Sequence, residues 1–154
     1  MACLGLTLNE TKTKLKEARR EGFDFLGYTF GMRRYWKTGQ KYLGASPSQK
    51  SVARLRTKVN AVLEPGNQGT WEEVRDRLNH LLRGWATYFS HGTRLMAYRA
   101  ADNHVYATVR GFLTRRHKVP SRGTRRFSDP VVFGKLGVLR LRRMHIGAPP
   151  TVAR

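Results

Sequence analysis

The sequence predicts an α+β fold: a small three-helix bundle, preceded by a β-hairpin and followed by a basic, irregular C-terminal tail. Three observations predict it. Residues 1–45 carry an aromatic-rich strand pattern with a Thr38-Gly39 turn, and residues 46–118 carry three stretches of apolar residues at helical spacing. Residues 119–154 are rich in Gly, Pro and Arg and show no period. The expected division of the 154-residue chain is therefore 1–45, 46–118 and 119–154. Hydrophobic residues make up 40% of it, enough to bury a real core.

Taken in order, Lys12 to Glu21 is charged and reads as a loop or short helix. Phe23 to Phe30 reads as one aromatic-rich strand, and a second runs from Met32 to Trp36. Gly39 supplies the positive φ of a tight turn before the return through Tyr42 and Leu43. Ser46-Pro47-Ser48-Gln49 reads as a helix start, with a capping serine and proline at the first helical position. Val52, Leu55, Val59, Val62 and Leu63 then line one face until Pro65-Gly66 ends the helix. Thr70-Trp71-Glu72-Glu73 is a capping box, which opens a stripe of Trp71, Val74, Leu78, Leu81, Leu82, Trp85, Tyr88 and Phe89. The third helix is expected after Thr93, with Leu95, Tyr98, Val105, Tyr106, Val109, Phe112 and Leu113 on its apolar face. Asp102 falls within that face, so it requires an arginine or backbone partner, or else the helix is irregular there.

Charge narrows the function. Thirty Lys and Arg against ten Asp and Glu give a formal charge of +20, which points to a polyanion whose counterions binding would release. An anionic membrane surface is the rival partner, but no run of roughly 18 apolar residues exists to span a bilayer. Met1 to Leu8 is apolar but lacks a basic leader and a cleavage site, so a cytoplasmic location is expected. Cys3 stands alone and the five histidines show no metal-ligand spacing, so neither a disulfide nor a zinc site is expected. The four aspartates are isolated, and no nucleophile elbow or P-loop occurs.

Basic residues gather in two places. Lys50, Arg54 and Lys58 follow one another at i, i+4 spacing opposite the apolar face of the first helix, an arrangement that also fits an ordinary solvated face. A denser run comprises Arg110, Arg115, Arg116, His117, Lys118, Arg122, Arg125 and Arg126, with Arg140, Arg142 and Arg143 beyond it. Such mutual repulsion calls for a neutralising partner, and these residues are expected to contact nucleic acid. Tyr35, Trp36 and Tyr42 would suit stacking on unpaired bases, though strand aromatics as often pack the sheet.

Several segments together resemble the C-terminal part of group II intron-encoded reverse transcriptases. Gly5 to Thr13 looks like the family's segment after the catalytic palm turn, and Gly22-Phe23-Asp24-Phe25-Leu26-Gly27-Tyr28 is similar to its last palm motif. Ser46-Pro47-Ser48 stands where the first thumb helix opens, and Leu82-Arg83-Gly84-Trp85-Ala86-Thr87-Tyr88-Phe89 resembles the maturase signature. Arg115-Arg116-His117 and Phe133 to Val138 resemble the end of one bacterial subgroup.

The resemblance implies a thumb-like bundle after the last strands of a polymerase palm. Phe25, Leu26, Gly27 and Tyr28 would form the primer grip, and Lys12 would lie near an incoming nucleotide. The aromatic-x-Asp-Asp metal turn would fall before residue 1, so polymerase activity of this chain alone is not expected, and magnesium only with a complete palm. The function implied is that of a maturase module binding group II intron RNA and assisting its splicing. Two alternatives stand beside it: a thumb subunit needing a separate palm-containing chain, and a decayed fragment with non-specific nucleic-acid affinity. The strands of residues 1–45 are expected to be mobile, self-associated, or completed by such a chain. Oligomeric state is left open.

Overall fold

A computed structural model describes residues 22–144. Strands β1 (Phe23–Phe25), β2 (Tyr28–Arg34) and β3 (Lys41–Pro47) form an antiparallel sheet in the order β1-β2-β3. Helices α1 (Gln49–Val62), α2 (Trp71–Tyr88) and α3 (Leu95–Arg116) follow, then a π turn at Val131–Lys135 and a 3-10 turn at Leu141–Arg143. The α+β class and the three helices are as expected. The segment resembling the one after the catalytic palm turn, Gly5 to Thr13, and the charged stretch Lys12 to Glu21 lie outside the described residues.

Two local expectations give way to strand pairing. Phe23 to Phe30 is a hairpin rather than one strand. Leu26 (φ 51°) and Gly27 (φ 81°) form a two-residue turn of the kind that matches strand twist, so Phe25 faces Tyr28 across it. The first helix is capped by Ser48, whose Oγ accepts from the Ser51 amide at 3.1 Å, and not by Ser46. Ser46 and Pro47 are held in β3 opposite Thr29 and Tyr28, so the expected 45/46 division falls inside a strand. The capping box of α2 forms in full, with Thr70 and Glu73 each satisfying the other's backbone amide.

The helices run up, down and up from the sheet. The Ser48 amide meets Gly27 O, the Tyr88 hydroxyl meets Leu26 O, and the Thr93 amide meets Ala45 O, so three helix ends converge on the strands. At the far end, Arg116 Nη2 donates to Gly69 O in the α1–α2 loop. Between the ends lies a core built on Leu55 and Val59 of α1, Leu78 and Leu82 of α2, and Val105 and Val109 of α3.

Residues 119–144 are largely irregular, but they are not an appendage. Phe127, Val132, Val138 and Leu141 are buried in the same core as the helices. Polar side chains of the helices hold this segment down. Asn79 of α2 donates from Nδ2 to Gly137 O and accepts from the Leu139 amide, both at 2.8 Å. Asp102 of α3 accepts from the Leu141 amide at 2.8 Å and the Arg142 amide at 3.2 Å. The partners that Asp102 requires on sequence grounds are therefore present, and they are mainly backbone amides. Arg142 Nε adds a charge at 3.8 Å.

Candidate nucleic-acid interface

The motif from Phe25 to Tyr28 is fixed between two helix ends. Gly27 O accepts from the Ser48 amide and from Ser51 Oγ, each at 2.8 Å, which ties the turn to the start of α1. Tyr88 Oη donates to Leu26 O at 2.9 Å, while Tyr28 Oη donates to Tyr88 O at 2.8 Å. This reciprocal pair ties the turn to the end of α2. Burial pushes the Tyr28 phenol above its ordinary 10.0, with Tyr88 adding to the effect, so it remains a neutral donor. Below it the Tyr28 ring lies 5.0 Å from Phe89, and Phe89 lies 4.9 Å from Trp85. The segment resembling the maturase signature thus pins the sheet to the bundle.

A groove of about 640 Å³ opens beside this junction. Leu26 and Gly27 form its lip, Leu55, Leu81 and Trp85 its apolar wall, and Arg54, Lys58 and His80 its basic rim. Gly84 sits in the same groove, and a Cβ built there meets nothing within 4 Å. Glycine inside a helix costs about 1 kcal/mol relative to alanine. Packing does not require it here, whereas close approach by a partner would.

Of the basic ridge expected on α1, only Arg54 and Lys58 line this groove. Lys50 lines a second groove, of about 690 Å³, on the other side of α1 beside Arg33 and Arg56. The spacing of basic residues does not single out Arg33 and Arg56. The available signal was that no acidic residue occurs between Asp24 and Glu64.

The second basic cluster lies at the opposite end of the molecule. The 22 residues of α3 span about 33 Å, which separates Arg115 and Arg116 from the sheet. Arg115, Lys118, Arg122 and Arg125 are exposed. Arg110 Cζ lies over Tyr106 at 5.1 Å, Arg116 Cζ over Phe112 at 5.5 Å, and Arg126 Cζ over Phe127 at 5.6 Å, so these three also rest against rings of the fold. Among the described residues, ion pairs are formed by Arg75, Arg140 and Arg142, and by none of the ten expected contact residues. Arg140, paired with Asp129 and 4.2 Å over Phe133, is structural.

Among the described residues no group of three His, Cys, Asp or Glu side chains could hold a metal, and no helix is long and apolar enough to cross a membrane. A family model described as "Group II intron, maturase-specific domain" matches residues 52–128, half of the chain. No curated protein matches it.

Proposed function

The chain belongs to the group II intron maturase-specific domain family, and we propose that it serves intron splicing by binding group II intron RNA, leaving the chemistry to the RNA itself. One observation supports this reading above the others. The matched segment 52–128 contributes Arg54, Lys58, His80, Gly84 and Trp85 to a single groove, which the Leu26-Gly27 turn closes. The rim supplies charge for phosphates, and the bare helix at Gly84 lets a backbone come close. The reading needs no metal held by the chain. The exposed end of α3 and the following loop form a second patch for the same polyanion, roughly a helix length away.

The test is binding of the purified protein to a structured group II intron RNA, a tRNA and a DNA duplex over a salt series. All three slopes should be steep. Intron RNA should keep an advantage of about tenfold, or 1.4 kcal/mol, at high salt. Coincident curves for the three polyanions would sink the reading. Gly84→Leu should preserve the fold, since space is open there, yet weaken intron binding about tenfold or more by filling the groove. Arg54→Gln with Lys58→Gln should lower the salt slope by about two phosphate equivalents.

A second reading has one observation in its favour. Phe25, Met32 and Leu43 lie on one face of the sheet and are exposed. A thumb subunit completed by a separate palm-containing chain would cover such a face. Co-purification of a chain carrying an Asp-Asp turn would favour it.

A further inference from the structure

We propose that the opposite face of the β2–β3 hairpin and the groove beneath it form a separate site for an unpaired stretch of RNA. This rests on the RNA-binding reading, but it concerns a different surface. The α1 helix divides the two grooves: Ser51, Arg54, Leu55 and Lys58 line one, whereas Gln49, Lys50, Ala53 and Arg56 line the other.

The register sets up the site. Arg33 pairs with Tyr42, Gly31 with Gly44, and Thr29 with Ser46, so these six share one face. The two glycines carry no side chains there, so Arg33 and Tyr42 close over Gly44, which is buried. A Cβ on Gly44 would fall 2.8 Å from Arg33 Cδ and 3.1 Å from Tyr42 Cε2. Arg33 Nη2 donates to Ser46 Oγ, while its Nε is buried without a hydrogen-bond partner. Tyr42 Oη sits 3.3 Å from Thr93 Oγ1, at the lip of the groove. Two residues from Arg33, Tyr35 is 45% exposed, and Trp36 at the tip is 82% exposed. The tip is a built turn: the Tyr35 amide donates to Gln40 O at 2.8 Å, the Gly39 amide to Tyr35 O at 2.7 Å, and Gly39 holds φ 72°.

Charge and shape both favour a nucleic acid. From Phe25 to Leu63 the chain has eight basic residues and no acidic one. Three of the eight, Arg33, Lys50 and Arg56, line a groove floored by Val52, Ala53, Ala97 and Ala100. Cations over a small-residue floor suit phosphates above and a base below. Exposed rings beside them offer stacking faces that only unpaired bases can use, because bases inside a helix already stack on one another.

The test uses the full chain with a single-stranded RNA of about 12 nucleotides and a perfect RNA duplex of similar charge. Tyr35→Ala with Tyr42→Ala should weaken single-strand binding about tenfold to a hundredfold, and duplex binding by less than about threefold. Because Tyr42 touches Thr93, a second variant, Lys50→Gln with Arg56→Gln, changes only exposed helix positions. It should weaken single-strand binding more than Gly84→Leu does. Equal losses on both RNAs, or no loss with either variant, overturn the site; so does unchanged RNA binding alongside loss of a protein partner. Failure of the wild-type protein to prefer intron RNA would instead count against the maturase reading, and the two failures are read from different samples.

Discussion

Replacing Asp102 by alanine should destabilise the protein by about 2–4 kcal/mol and free residues 119–144 from the bundle. The carboxylate is only 3% exposed and accepts the Leu141 and Arg142 amides. Alanine leaves both donors facing a core, at about 1–3 kcal/mol for each unsatisfied group. Part of that is recovered, since the charge itself is costly to bury. Burial pushes the Asp102 carboxyl above its ordinary 3.8, against the opposing pull of the two amides and Arg142. The sign of the pH dependence follows. The folded chain holds this proton more tightly than the unfolded chain, so stability from the group is complete below about pH 3.8. It declines as pH rises through the elevated folded value. Chemical denaturation from pH 3.5 upward should show this downward contribution in the wild type and not in Asp102→Asn. Limited proteolysis of Asp102→Ala should cut first within 119–144; cleavage elsewhere, or an unchanged midpoint, would show that the tail does not depend on this clamp.

Gly27→Ala should cost a similar amount, about 2–4 kcal/mol, by a different route. Its φ of 81° is unfavourable for a residue with a Cβ, at roughly 1 kcal/mol. The added Cβ would also sit 2.9 Å from Ser51 Oγ and 3.0 Å from Phe89 Cζ. Ser51 cannot retreat without losing its bond to Gly27 O, and Phe89 is wedged against Trp85. Gly39→Ala is the control: φ is 72°, but nothing lies within 4 Å, so only the conformational cost of about 1 kcal/mol remains. Thermal or denaturant unfolding separates the two. If the variants lose the same amount, the turn is not clamped between α1 and α2. Intron-RNA binding should fall with Gly27→Ala alone, because the lip of the groove moves with the turn.

The candidate interface was legible in the sequence as residue types, less so as a place. The excess of cations was plain, and the spacing of Lys50, Arg54 and Lys58 set them along one side of a helix. Which groove each residue faces depends on what packs against α1 to its left and right, and that divides the ridge: Arg54 and Lys58 go one way, Lys50 the other. Arg140 and Arg142 look no different in sequence from Arg122 or Arg125. They differ because Asp129 and Asp102 happen to reach them across the fold.

Much that depends on neighbours a few residues apart is legible in the chain alone, the Leu26-Gly27 turn and the Ser48 cap being exceptions. The α1, α2 and α3 stripes repeat every three or four positions, the Thr70–Glu73 box closes within one turn, and Gly39 needs only its own backbone. The strong charge that calls for a polyanion is a sum, independent of shape. Tertiary structure decided the rest. It placed Ser46-Pro47 in β3 because Tyr28 and Thr29 were there to pair with them. It drew the 119–144 segment into the core because Asn79 and Asp102, both on helices, satisfy its backbone. Buried amides must find acceptors, and a sequence does not say which distant side chain will be within reach.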